Sequence, residues 1–188
     1  MRTFPTFLCA ALSCLLCTQA PAAENVNFAD VLAVPTTQAS TSVSYGSDQF
    51  QFGQLWLPAN SPARATVVLI HGGCWLNQFD ISYTAGLSSA LADAGFAVWS
   101  LEYRRVGDEG GGWPGTFEDI IAGINSLNRI DSVDTENLAI LGHSAGGHLA
   151  LLAGARDDLL AVQPDLIVGL AAISDVVTYA SGESSCER

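Results

Sequence analysis

Apolar runs recur along this chain at intervals, separated by amphipathic or glycine-rich stretches. Thr66–Ile70 (TVVLI) has no polar face, the pattern of a strand buried on both sides. Phe96–Leu101, Leu138–Leu141 and Leu166–Ile173 (LIVGLAAI) repeat it. Between these runs the period lengthens. Tyr83–Ala94 predicts a helix stopped by Gly95. Pro114–Arg129 predicts a second, with Phe117, Ile120, Ile121, Ile124 and Leu127 on one face. Ala145–Ala155 predicts a third. Strands alternating with helices imply right-handed βαβ units and a mainly parallel sheet flanked by helices, an α/β fold. Upstream, Val43–Tyr45 and the partly alternating Phe50–Leu57 are shorter strand candidates, followed by a turn at Pro58–Pro62. Residues 24–42 are polar and rich in Thr and Ser, and predict a loose segment ahead of one domain spanning 43–188.

The first 23 residues follow a different pattern. Arg2 precedes an apolar run from Phe7 to Cys17, and small residues follow at Ala20-Pro21-Ala22-Ala23. This reads as a secretory signal peptide cleaved near Ala22 or Ala23, too short and wrongly flanked for a membrane span. A secreted or periplasmic location follows. Lipid attachment at Cys14 is the weaker alternative, because Ala11 stands where an apolar Leu is usual. Cys9, Cys14 and Cys17 lie in this segment. Cys74 and Cys186 remain, too few for a disulfide framework, and the sequence leaves their pairing open. The net charge is −12 and there is no lysine, which argues against nucleic-acid or anionic-membrane partners.

The chemistry sits in two short motifs. Gly142-His143-Ser144-Ala145-Gly146 follows one predicted strand and opens a helix. This is G-x-S-x-G in the strand–turn–helix setting that lifts a serine Oγ above a sheet. Gly142 and Gly146 leave room where a Cβ would collide, and the N–H of Ala145 is aimed at the charge developing on an attacked carbonyl. His71-Gly72-Gly73-Cys74-Trp75 directly follows TVVLI and exposes further N–H groups.

Together, HGG-x-W and GHSAGGHLA resemble the α/β-hydrolase superfamily, and within it the esterase and arylformamidase-like branch that includes feruloyl- and acetyl-esterase-like domains. Leu101-Glu102-Tyr103-Arg104 and Trp113-Pro114 with Glu118-Asp119 are also similar to that branch. The resemblance covers about residues 45–180. It implies a serine hydrolase of carboxylic esters or activated amides, acting through an acyl-enzyme on Ser144 and taking a small acyl substrate without a cofactor. It also implies that the N–H groups of Gly73, Cys74 and Ala145 form the oxyanion hole.

Such enzymes place the triad acid and histidine after the serine. Here the last histidine is His148, and no histidine follows it. The expectation is therefore an α/β-hydrolase domain cut short, lacking its last strands, with Leu166–Ile173 at an unpaired sheet edge. A separate C-terminal segment would be its complement. Of the histidines, His71 is expected to hold the loop, His143 to diverge from Ser144, and His148 to pack on the helix body. Asp175 is expected to support the structure rather than complete a triad. The three histidines show no metal-ligand spacing. Two alternatives to a working hydrolase stand beside it: a catalytically dead fragment, and a domain that binds acyl ligands without turnover.

Overall fold

The computed structural model describes residues 26–59, 62–182 and 186. The signal peptide expected over residues 1–23 lies outside the described residues. Six strands form one sheet: β1 (Thr41–Ser44), β2 (Phe52–Trp56), β3 (Thr66–Ile70), β4 (Ala97–Leu101), β5 (Leu138–His143) and β6 (Leu166–Leu170). Their order is β1-β2-β4-β3-β5-β6. The first two run antiparallel to their neighbours, and β4, β3, β5 and β6 run parallel.

The parallel part follows from the crossovers. Helix α2 (Ala85–Asp93) joins β3 to β4, α3 (Gly115–Asn125) joins β4 to β5, and α4 (Ala145–Ala155) joins β5 to β6. All of β3 and β4 is buried, because helices cover both faces. One face packs Val68, Ile70, Trp99, Leu101 and Ile140 against Ile120, Ile124, Leu149 and Ala150. On the other, Leu69, Val98 and Trp56 pack with Ala92. The chain leaves β3 toward β4 on one side and returns across it to β5 on the other. The carboxyl ends of β3 and β5 therefore flank a topological switch point, where open α/β sheets hold their ligands.

Several boundaries differ from the sequence expectation, among them the helix expected from Tyr83, which starts at Ala85 after a 3-10 turn, Ile81–Thr84. Residues 24–42 are not wholly loose: Phe28–Leu32 forms a short helix, α1, started by a capping box between Asn27 and Asp30. The helix expected to Arg129 ends at Asn125, and its last turn tightens to a 3-10 turn, Ser126–Arg129. The last strand stops at Leu170 instead of Ile173, because Ala171 turns the chain at φ 46°. A further helix, α5 (Val176–Ser181), follows. Among the described residues β6 pairs only with β5, and Leu166 and Leu170 are exposed on it, as expected of an edge strand.

Candidate active site

Ser144 stands between the end of β5 and the start of α4, with φ 53° and ψ −117°. A non-glycine residue in this region is strained and is held only by its surroundings. The surroundings are visible. The Ser144 N–H donates to Leu170 O at 2.9 Å, and its carbonyl accepts from His148 N at 3.0 Å and Ile173 N at 3.3 Å. A Cβ on Gly146 would run into the carbonyls of Ile70 and His71, so only glycine lets α4 start this close to the end of β3.

The neighbouring loop is equally constrained. Gly73, Cys74 and Trp75 all have positive φ, at 103°, 58° and 59°. The Ile70↔Gly142 pairing brings this loop beside the serine turn. A Cβ on Gly72 would lie 2.6 Å from His143 O and 3.1 Å from the Ser144 Cβ. Among the described residues, no protein acceptor takes the N–H of Gly73, Cys74 or Ala145. The structure thus packs Gly72 of the glycine loop against His143 and Ser144 of the serine turn.

A buried polar cluster anchors the loop from below. His71 is fully buried and stacks on Tyr103 at 4.2 Å. Its Nε2 meets Glu102 Oε1 at 2.9 Å and its Nδ1 meets Gly72 O at 2.8 Å. With acceptors on both nitrogens, His71 holds the loop and cannot serve Ser144. Glu102 also accepts from Tyr103 N and Ile81 N, each at 3.0 Å, and pairs with Arg105 at 3.3 Å. Arg105 pairs in turn with Asp108 at 3.0 Å. Burial raises the Asp108 carboxyl, but hydrogen bonds from Arg105 and Asn77 outweigh it and hold it below the usual carboxylate range.

The other two histidines also fall where the sequence places them. His143 points toward Tyr83, with its Nδ1 3.5 Å from the Tyr83 hydroxyl. His148 packs edge-on against Trp75 at 5.4 Å, and burial lowers its pKa. Its Nδ1 is buried without a hydrogen-bond partner among the described residues. None of the three is hydrogen-bonded to the Ser144 hydroxyl among the described residues. Asp175 caps α5, accepting from Thr178 N and Thr178 Oγ1, and those bonds lower its pKa. Trp75 and Trp113, with Phe117, His148, Leu149 and Leu152, line an apolar cavity of about 210 Å³.

The sequence left the pairing of Cys74 open and gave Glu102 no role. Cys74 and Cys186 form a disulfide with a Cα–Cα distance of 5.6 Å, which ties the glycine loop to the segment after α5. Glu102 is the partner of His71, and its adjacency to the Tyr-Arg pair was the signal that could have singled it out.

The model of the BD-FAE family matches residues 54–178, a stretch that holds both motifs. The chain belongs to the BD-FAE family. Esterase LipC of Mycobacterium tuberculosis is 32% identical over 117 residues, 60% of this chain and 28% of that protein. Neutral cholesterol ester hydrolase 1 of Rattus norvegicus is 35% identical over 102 residues, 50% of this chain and 24% of that protein. Among solved structures, esterase B from Lactobacillus rhamnosis superposes with a TM-score of 0.69 at 21% identity, covering 82% of this chain and 56% of that one. A bacterial heroin esterase gives a TM-score of 0.61 at 23% identity, covering 76% and 47%. The BD-FAE chain has the α/β-hydrolase fold of these structures, and it spans under half the length of the curated relatives it matches.

Proposed function

We propose that this chain carries the nucleophile and oxyanion half of a carboxylic-ester hydrolase site, in a secreted or periplasmic protein. The Ser144 Oγ attacks the acyl carbonyl, the ester C–O bond breaks, the alcohol leaves with the serine's proton, and an acyl-enzyme remains. The N–H groups of Gly73, Cys74 and Ala145 receive the negative charge on the carbonyl oxygen, and water then releases the acid. The observation that carries this reading is the strained Ser144 turn packed against a loop whose N–H groups have no protein acceptor. Relatives named as esterases support the reaction class. Activated amides pass through the same tetrahedral species and belong to the same proposal.

Without a histidine at its hydroxyl, Ser144 is a neutral alcohol and a poor nucleophile. The groups described here are expected to give roughly 10³–10⁴-fold acceleration over water, the residue left by an oxyanion hole and binding. Full rates need a histidine delivered to the Ser144 Oγ. The same observation favours a second reading, a domain that binds acyl ligands without turning them over.

The test is hydrolysis of 4-nitrophenyl acetate by wild type and Ser144→Ala, with fluorophosphonate labelling followed by mass spectrometry. Slow turnover lost in Ser144→Ala, with the label on Ser144, supports the hydrolase. Ordinary enzymatic rates lost in Ser144→Ala would mean that one of His71, His143 or His148 is a working base. Equal rates in both proteins would end the assignment of Ser144.

A further inference from the structure

We infer that Tyr83 is a positioning residue for the oxyanion loop, its hydroxyl fixing the Gly72 peptide so that the next N–H groups face the reacting carbonyl. The inference rests on the reading of Ser144 and the glycine loop given above. Gly72 is followed by Gly73, and two glycines in succession leave their peptide planes free to rotate unless something holds them. Two groups do. The Gly72 N–H donates to the Tyr83 hydroxyl. The Gly72 carbonyl accepts from His71 Nδ1 at 2.8 Å. A trans peptide points its C=O and the following N–H in opposite directions within one plane. Holding the Gly72 carbonyl toward His71 therefore sends the Gly73 N–H away from His71. Tyr83 holds the preceding plane together with Tyr103, so bonds on both sides bracket Gly72.

Tyr83 is itself well supported. It sits in a 3-10 turn, Ile81–Thr84, capped by Asp80. The turn is tied to the sheet through Ile81 N to Glu102 at 3.0 Å and Thr84 Oγ1 to Ser100 Oγ at 2.9 Å. The Tyr83 ring packs edge-on against Phe28 at 5.9 Å. The point where a Cβ on Gly72 would sit is 2.8 Å from the Tyr83 hydroxyl and 3.1 Å from the Ser144 Cβ, so those two groups are under 6 Å apart. The hydroxyl also lies 3.5 Å from His143 Nδ1, the residue before Ser144. One phenol thus touches the glycine loop and the serine turn together. Burial pushes its pKa up to about 12, with the Gly72 N–H opposing, so it stays a neutral hydroxyl.

The test is Tyr83→Phe in the full chain, which keeps the ring and removes only the hydroxyl. Three measurements are made: ¹⁵N order parameters at Gly72 and Gly73, phosphonylation of Ser144 by a fluorophosphonate resolved into its binding and bond-forming constants, and the melting temperature. In wild type the two amides are expected in the rigid range near 0.85, and in Tyr83→Phe below about 0.6. The bond-forming constant should fall about tenfold with the binding constant unchanged, and Tm should drop by no more than about 4 °C. Phe28→Ala, which removes packing but leaves the hydroxyl, should leave the order parameters alone. Unchanged order parameters in Tyr83→Phe overturn the inference. Wild type that takes no label refutes Ser144 as the nucleophile, and the order parameters still decide the role of Tyr83.

Discussion

Glu102→Gln tests whether the buried cluster under the glycine loop carries the fold. The Glu102 side chain is 2% exposed and takes three good hydrogen bonds, from His71 Nε2, Tyr103 N and Ile81 N, beside the Arg105 guanidinium at 3.3 Å. Oε1 serves His71, Tyr103 and Arg105, whereas Oε2 serves only Ile81. The best placement of a glutamine therefore keeps its oxygen at the Oε1 position and turns its NH₂ toward the Ile81 N–H. One buried donor then faces another donor, a loss of about 1–3 kcal/mol. Arg105 also loses a charge partner but keeps Asp108 at 3.0 Å and Phe79 O at 2.6 Å. The full cost of breaking a buried ion pair, about 3–5 kcal/mol, is thus an upper bound. We expect a loss of about 3 kcal/mol, or roughly 6–12 °C in Tm for a chain of this size. The assay is thermal unfolding by far-ultraviolet circular dichroism, with Asp158→Asn as the control. Asp158 pairs with Arg156 on the open surface, at 60% and 50% exposure, and its loss should stay within about 0.5 kcal/mol. If Glu102→Gln melts with the control, the cluster does not stabilise the fold and the role given to His71 fails with it.

Gly146→Ala forces a Cβ into two backbone carbonyls and should cost about 3 kcal/mol, while Gly154→Ala meets only the tip of the Ile167 side chain and gains helix propensity, leaving it near neutral in the same melting assay. Burial depresses the His148 pKa, so the unfolded chain binds the proton more readily. Stability should then fall as pH drops below the unfolded value of about 6.5, a loss absent in His148→Gln and separate from that of the hydrogen-bonded carboxylates Asp108 and Asp175, which begins only near pH 4. Non-reducing tryptic digestion should join peptide 65–104 to peptide 157–188 through Cys74–Cys186, and two separate peptides would exclude the pairing. If the bond forms, closing a loop of this length contributes about 5 kcal/mol in the chain-entropy picture, visible as a lower Tm on reduction.

The sequence by itself determined the parallel core and the serine turn, because both are local. TVVLI has no polar face and reads as a strand buried on both sides, the usual case in a parallel sheet, and G-x-S-x-G between an apolar run and a helical one sets the serine on a strained turn. Helix α4 was readable to its ends for the same reason, with Gly146 and Gly147 at its start and Arg156 just past its end. Local signals were weaker at the margins. The Asn27 capping box starts a helix of only five residues, too short to show a period. The stop of β6 at Leu170 depends on the turn at Ala171, a residue with no turn signature of its own.

What only the tertiary structure decided concerns pairs far apart in sequence. Glu102 meets His71 across 31 residues, Tyr83 reaches Gly72 from a different turn, and Cys74 finds Cys186 across 112. Nothing in the periodicity of either partner encodes the other. The β4-β3-β5 order sets the first of these contacts by bringing the ends of β3 and β4 together, and the turn before α2 returns Tyr83 over the same strand end. A hydrogen bond depends on tenths of an ångström, and those distances exist only once the strands are in register and the helices have closed over them.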